Sequence, residues 1–520
     1  MGPAMSDRRS PGRADVLVVG AGPAGLAAAV AAWRRGAHVV LLDGQDRPGG
    51  QYWRHPPGSG PDRHHDPHGY LRLEAALAAG VAGGGIDRRP GHQVWRVVSH
   101  EEVHVVRAIF TEDGAEREVD VSAHAVVLAP GGVERVLPFP GWDLPGVLTA
   151  GAAQALLSEH GVPAGRRVVV GGSGPFLLPV AAGLAEAGAR VAGLLEAGDP
   201  RAWARRWRDV AARPGALAEA AGYLARLARH GVRPSPGSAV VAAHGQDRVT
   251  AVTVARLDSG WRAVPGTARR LECDAVAVGW GFLPRVELAV QAGCLTRPGP
   301  DGAPAVSVAD DGATSVPGVF AAGEITGIAG APLALLEGAA AGVAAARYAA
   351  VRHGAQPAAD QPAEPSGERE EGPGPGGPDR ARPVGAGSGG AARAGLIRFA
   401  AAMHAAHPVR DGWVTWLRPD TVICRCEEVP LARVDEAVAE LGATDARTVK
   451  LLTRCGMGWC QGRICGDAVA RLVGVRTGRR DDPAGRRALA ADLRDLAVRP
   501  VASPIRLDTL AGGVSGAPPG

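Results

Sequence analysis

Five of the seven cysteines in this 520-residue chain fall in two short stretches near its end, TVICRCEEV and TRCGMGWCQGRIC. They are Cys424, Cys426, Cys455, Cys460 and Cys465. Thiolates are soft ligands that suit an iron-sulfur cluster or zinc, and either needs four of them. The spacing C-x-x-x-x-C runs both from Cys455 to Cys460 and from Cys460 to Cys465, so spacing alone leaves the ligand set open. The C-x-C start is unlike the C-x-x-C knuckle usual for structural zinc. Glycines flank the second group and can bring backbone N–H groups up to the sulfurs, which raises the potential of a cluster. Cys273 and Cys294 stand apart, in LECDAVAVGW and VQAGCLT, and are expected to be small buried hydrophobes rather than a redox dithiol.

A second chemistry is written at the other end. In ADVLVVGAGPAGLAAAVAAWRRGAHVVLLD an apolar run enters Gly20, followed by Gly22 and Gly25, a small-residue helix and a second apolar run ending at Asp43. Gly20 permits the tight strand-to-helix turn, Gly22 clears the approach to a pyrophosphate, and Gly25 lets helix and strand pack closely. The helix N-terminus then offers unpaired amides to the phosphates, and Asp43 can accept from a ribose. Gly49 and Gly50 in RPGGQYW make a second glycine turn suited to a large planar ligand. The same logic returns in RRVVVGGSGPFLLPVAAGLAEAGARVAGLLEA, with Gly172, Gly174 and a terminal Glu196, but Leu177 stands where the third glycine belongs. The fold is therefore expected to repeat there, while occupation by a second nucleotide, NAD(P) or another adenine nucleotide, is left open.

These motifs must sit on elements in a definite order. VPGVFAAGEITGIAGAPLALLEGAAAGVAAARYAA reads as a short strand, a turn carrying Gly323, Glu324 and Gly327, and a long small-residue helix able to return to the first domain. The fold class is α/β: a first dinucleotide domain over 1–150 and 291–352, interrupted by a second over 151–290. Residues 353–394, rich in Gly, Pro, Ala, Glu and Arg, cannot bury enough apolar surface to offset their ordering entropy and are expected to be a tether. The cysteine-bearing unit with its tail fills 395–520.

Composition narrows the function. The net charge is +4, Lys450 is the only lysine, and the arginines are scattered beside acids with no basic block interleaved with aromatics, so no nucleic-acid partner is expected. The opening MGPAMSDRRSPGR is polar and lacks a signal-peptide layout, which predicts a cytoplasmic protein, or one held at the inner face of a membrane through partners. In a reducing compartment clustered cysteines point to metal or redox work rather than disulfides. His160, His230, His404 and His407 fall in no recognisable constellation and are expected to be solvated.

The segments VVGAGPAGLAAA, LAPGGVERVLPFPGWDLPGVLTAGAAQ and VPGVFAAGEITGIAGA resemble the two-dinucleotide-domain flavoproteins, in particular the group holding hydrogen cyanide synthase B subunits, opine oxidase A subunits and the alpha subunits of amino-acid and hydroxyproline dehydrogenases. The resemblance runs through almost the whole chain. It implies FAD at Gly20, Gly22, Gly25 and Asp43, with Gly323 and Glu324 near the pyrophosphate and ribitol. Glu324 stands where the broader class commonly has Asp, and LAPGG where it commonly has ATG. The C-terminal unit resembles the helical domain that binds a 2Fe-2S cluster in bacterioferritin-associated ferredoxin, which implies Cys424, Cys426, Cys460 and Cys465 as ligands and leaves Cys455 surplus. The function so implied is an FAD- and 2Fe-2S-containing subunit of an amino- or imino-acid dehydrogenase or oxidase, working with an amine-oxidase-like flavoprotein subunit. The alternative is a stand-alone NAD(P)H-dependent reductase that passes electrons through its cluster. The sequence names no catalytic acid or base and no electron acceptor.

Overall fold

The computed structural model describes residues 13–56, 66–100, 103–352, 386–479 and 481–514. The first apolar run is the strand Arg13–Val19, with parallel neighbours Val39–Leu42 and Ala115–Leu128 on its two sides. A central parallel strand covered on both faces wants a continuous Val/Leu run, which is what VLVV supplies. The sheet runs Ile86–Arg89, Val39–Leu42, Arg13–Val19, Ala115–Leu128, His104–Glu112 and Gln93–Ser99, the last two antiparallel additions. Val319–Ala321 comes back to pair in parallel with Val126–Leu128, so one sheet is built from both sides of the inserted domain.

The long helix Ala331–Arg352 then packs on the fingerprint helix Pro23–Arg34 at backbone contact distance. A Cβ at Gly338 would stand 2.1 Å from the Ala24 carbonyl oxygen, and one at Gly342 would stand 2.2 Å from that of Ala28. By length and composition alone this helix could cross a membrane, and its small residues are explained here by that packing.

The inserted domain has a five-stranded parallel sheet in the order Pro234–Pro236, Arg190–Glu196, Arg167–Gly172, Ala275–Gly279 and Val147–Thr149. An antiparallel meander of Ser238–His244, Ala251–Arg256 and Arg269–Glu272 lies beside it. The crossing between the two domains is a short ladder, Gly132–Glu134 against Phe282–Pro284.

Of the tether expected over 353–394, residues 353–385 lie outside the described residues. Its last part is not tether: the helix Ala386–Ala406 already begins there. Gly-rich composition argued for a loop, but alanine supports the helix and its far end is anchored by packing on both dinucleotide domains. Beyond it come the helices Leu431–Ala439, Ala446–Thr453, Gly466–Arg476 and Pro483–Ala497 around the cysteine loops. This unit is docked, not appended. Trp413, Trp416, Ile423 and Val434 share one continuous core with Val169, Val252, Trp261 and Trp280 of the inserted domain. Trp416 Nε1 donates to the Trp261 carbonyl at 2.9 Å, and Trp142 Nε1 donates to that of Val422 at 2.5 Å.

Candidate functional site

The two cysteine loops meet. The Sγ atoms of Cys424, Cys455 and Cys465 all lie within 4.8 Å of one another and all three residues are buried. Cys426 is exposed and Cys460 half-buried, and each lies close enough to shift the other's thiol. Cys460 also shifts with Cys465, which places it beside the buried group of three. Hydrogen bonds from Cys455 and Cys465 hold Cys424 far below the ordinary thiol range, and a bond from Cys465 brings Cys460 down to about 5. The Gly456 N–H donates to Cys424 Sγ at 3.4 Å. Arg499, itself buried, adds positive charge beside Cys460 and Cys465.

The loops accept unusual backbone to do this. Glu428, Arg454 and Gln461 have φ of +50°, +67° and +54°, a region non-glycine residues rarely adopt. Gly458 is required by contact, since a Cβ there would lie 2.4 Å from that of Cys426. A soft, partly ionised, surface-edged set of thiols with backbone donors around it fits a 2Fe-2S cluster. The geometry adds Cys455 to the group that the resemblance had left it out of: it lies on the buried side, in reach of Cys424 and Cys465.

The first glycine turn fits the ADP half of FAD. A Cβ at Gly20, whose φ is +97°, would meet the Ala129 carbonyl oxygen at 2.4 Å, and one at Gly25 would meet that of Gly20 at 1.7 Å. Gly22 faces open space. Gly50 is pressed onto it, with its would-be Cβ 2.9 Å from Gly22 Cα, and the Gly49 N–H donates to the Ala21 carbonyl at 2.7 Å, so the two glycine turns form one cradle. Asp43 Oδ2 is buried with no hydrogen-bond partner. Burial pushes the Asp43 carboxyl up to about 6 despite nearby backbone N–H groups of Ala21, Gln45 and Gly44. An orphaned buried carboxylate oxygen at this place is what ribose hydroxyls would satisfy.

Gly323 sits against the start of the fingerprint helix, its would-be Cβ 2.8 Å from that of Ala24. Glu324 is differently employed. Its two oxygens accept from the N–H groups of Gly330, at 2.9 Å, and Ala329, at 3.1 Å, and burial pushes its carboxyl up to about 7. It shapes the 324–330 turn, which packs against Gly132 of the ladder between the domains.

In the second fold Gly172 and Gly174 take φ of +142° and +119°, as a dinucleotide turn requires. Glu196 is already engaged, however: it accepts from the N–H groups of Gly174 at 2.9 Å and Gly198 at 2.6 Å, and His407 Nδ1 stands 3.5 Å from it. His404 and His407 are thus not the solvated residues expected, since His404 Nε2 donates to the Ile328 carbonyl at 2.8 Å and His407 is mostly buried. Cys273 and Cys294 are buried, as their surroundings indicated, and burial raises both thiols.

One constellation carried no signal in the sequence. Arg135, Asp301, Asp467 and Arg471 form a buried network between the flavin unit and the cysteine-bearing unit. Arg135 Nε donates to Asp467 Oδ2 at 3.1 Å and its terminal nitrogen pairs with Asp301. Burial works to raise the Asp301 carboxyl, but Arg135 and Arg471 overcome it and hold it well below the usual range. Its members are 332 residues apart in the longest link, beyond any local pattern.

Comparison with known proteins agrees with this geometry. Residues 14–354 match the family described as pyridine nucleotide-disulphide oxidoreductase, and residues 422–474 match the BFD-like 2Fe-2S binding domain. Hydrogen cyanide synthase subunit HcnB of Pseudomonas protegens is 32% identical over 467 residues, covering 89% of this chain and 93% of that protein. The opine oxidase A subunit of Agrobacterium tumefaciens is 31% identical over 511 residues, covering 96% and 91%. Among solved structures, L-proline dehydrogenase from P. horikoshii aligns with a TM-score of 0.59 at 20% identity, over 96% of this chain and 79% of that one, a likeness of fold. The chain belongs to the pyridine nucleotide-disulphide oxidoreductase family, as an FAD-dependent oxidoreductase that carries a BFD-like 2Fe-2S domain.

Proposed function

We propose that this chain is the electron-carrying subunit of a heteromeric amino- or imino-acid dehydrogenase or oxidase. The observation that supports it most is the docking of the thiol group and the FAD cradle into one body, with the cluster unit sharing its core with the dinucleotide domains. FAD supplies conversion between electron pairs and single electrons, and the cluster supplies one-electron transfer. The chain's own residues do the holding. The cradle of Gly20, Gly22, Gly49 and Gly50 would admit the cofactor and Asp43 would orient its ribose, while Cys424, Cys426, Cys460 and Cys465 would bind the iron, with Cys455 beside Cys424 and Cys465. The edge where Cys426 is exposed, beside Trp459 at 79% exposure, is where electrons would pass to a partner or acceptor.

The substrate side belongs to a second chain in this reading. The relatives are named as subunits, of hydrogen cyanide synthase and of opine oxidase, and two dinucleotide folds with one cluster unit account for nearly every patterned segment here. We place the donor among amino or imino acids, the partner among amine-oxidase-like flavoproteins and the complex in the cytoplasm. The test is dye reduction with glycine, proline, hydroxyproline and opines, using this chain alone and co-expressed with its genomic neighbours. Turnover is expected only with a partner. Rapid turnover by the homogeneous lone chain would overturn the partner requirement.

Asp43 gives this reading a pH signature. A carboxyl raised in the folded protein favours its protonated form, so by itself it contributes stability that is lost as pH rises through about 6. A ribose hydroxyl donating to the carboxylate has the opposite preference. FAD affinity should therefore fall as pH drops below that value, by up to about tenfold per pH unit. Asp43→Asn should bind FAD more weakly near neutral pH and show a flatter pH dependence. Fluorescence titration of the deflavinated protein measures both, and equal slopes in the two proteins would refute the role given to Asp43.

A further inference from the structure

The acid and the serine of the second dinucleotide turn are covered by the chain itself. The helix Ala386–Ala406 packs on helices of both dinucleotide domains, and the residue after it, His407, reaches the acid at the end of the second strand. Trp203 Nε1 donates to His407 Nε2 at 3.0 Å. An indole nitrogen can only donate, so Nε2 carries the lone pair and the proton of the neutral ring is on Nδ1. That Nδ1–H faces Glu196 Oε1 at 3.5 Å and Ser173 Oγ at 3.3 Å. It offers the strand-terminal carboxylate the kind of donor that a ribose hydroxyl would, and Ser173 is part of the glycine turn that would receive the pyrophosphate.

The contact is built. Burial works to raise the Glu196 carboxyl, and His407 with the Gly174 and Gly198 amides overcomes it and holds it below the ordinary range. The Ala406 carbonyl oxygen and His407 Nδ1 stand 3.4 and 3.1 Å from where a Cβ on Gly198 would be, so the arm lies directly on the loop after the strand. Phe399 packs against Trp203 with ring centroids 5.9 Å apart, and the Arg213 guanidinium lies over Phe399 at 5.1 Å. His404 ties the same arm to the flavin domain through the Ile328 carbonyl. Meanwhile the turn keeps dinucleotide geometry, and Gly174 opens on free space.

We propose that this arm is a latch: His407 occupies the ribose subsite of the second dinucleotide fold, so that the fold takes an adenine nucleotide only when the segment around His407 is withdrawn, and the latched chain accepts no electrons from NAD(P)H. The inference is independent of which amine is oxidised and of any partner. It also tells against the reductase alternative, which needs that subsite free.

The test uses the full chain with its cofactors, and ADP-ribose and NADH as probes in isothermal titration. The wild type is expected to show no saturable binding of either up to about 1 mM, whereas His407→Ala should bind ADP-ribose at least about tenfold more tightly. Trp203→Phe, which keeps the packing and removes the donor that fixes the ring, should move in the same direction by less. The gain should vanish in His407→Ala combined with Glu196→Gln, because the carboxylate is what the ring covers. Bound flavin and circular dichroism report that each variant is folded, and Trp203→Phe carries the test should His407→Ala fail to fold. Tight ADP-ribose or NADH binding by the wild type would overturn the latch. So would folded variants that gain nothing, or a gain that survives the loss of Glu196.

Discussion

Cys424→Ser is expected to leave the purified protein without cluster iron or acid-labile sulfide while its FAD is retained. Cys424 lies within 4.8 Å of Cys455 and Cys465 and accepts from the Gly456 N–H, and as one of the four assigned ligands its loss leaves an iron short. A serine oxygen is a harder donor and a poor substitute. Cys460→Ser should do the same. Cys455→Ser should keep iron and sulfide, because the four ligands that the resemblance implies, Cys424, Cys426, Cys460 and Cys465, all remain. Iron, sulfide and visible absorbance decide it. Loss of iron from the Cys455 variant with retention in the Cys465 variant would show that Cys455 is a ligand and that the assignment is out of register. Stoichiometric zinc without sulfide in the wild type would replace the cluster altogether.

The second large effect concerns how the cluster unit stays docked. Arg135→Ala should cost about 3–5 kcal/mol of docking stability, the magnitude for removing one partner of a buried charge network. Arg135 is 4% exposed, and without it Asp301 and Asp467 face each other with Arg471 as the remaining cation. Calorimetry should show the single transition of the wild type giving way to an earlier melting step for the cluster unit. The pH dependence has a definite sign. Asp301 is held below the ordinary carboxyl range, so its contribution is present above that range and is lost as pH falls through the folded value. The wild type should therefore loosen in acid in the way that Arg135→Ala is already loosened near neutrality. An unchanged midpoint in the variant would mean that the network carries no docking energy.

The parts legible in the sequence were those whose signal is local. Gly20, Gly22, Gly25 and Asp43 lie within one strand-helix-strand unit, and Gly20 and Gly25 are fixed by backbone contacts that admit no side chain. The cysteine loops were legible because four soft ligands in two short stretches have few other uses. Where legibility ended, the cause was distance along the chain. Spacing could not place Cys455, because its relation to Cys424 depends on how two loops 32 residues apart in the Gly456–Cys424 contact fold together. His407 gave no signal, since its partners Trp203 and Ser173 lie 204 and 234 residues away. Arg135 belonged to a motif-bearing segment, GGVERVLPFPGW, but its acids come from the distant return segment of its own domain, Asp301, and from the cysteine-bearing unit, Asp467. The start of the helix Ala386–Ala406 was hidden for another reason: composition reports the average cost of ordering a Gly-rich segment and is blind to the contacts of Phe399 and His404 that offset it.

The central claim is that electrons from an amine donor reach this chain's cluster through a partner and never directly. It is tested most directly by electron paramagnetic resonance after anaerobic addition of the amino or imino acid. With the co-expressed complex the signal of a reduced 2Fe-2S cluster should develop within the turnover time, and Cys424→Ser should abolish it. With this chain alone the same addition should leave the cluster oxidised, and NADH or NADPH should do no better. A cluster in the lone chain that is reduced rapidly by the amino acid, or by either nicotinamide, would contradict the account.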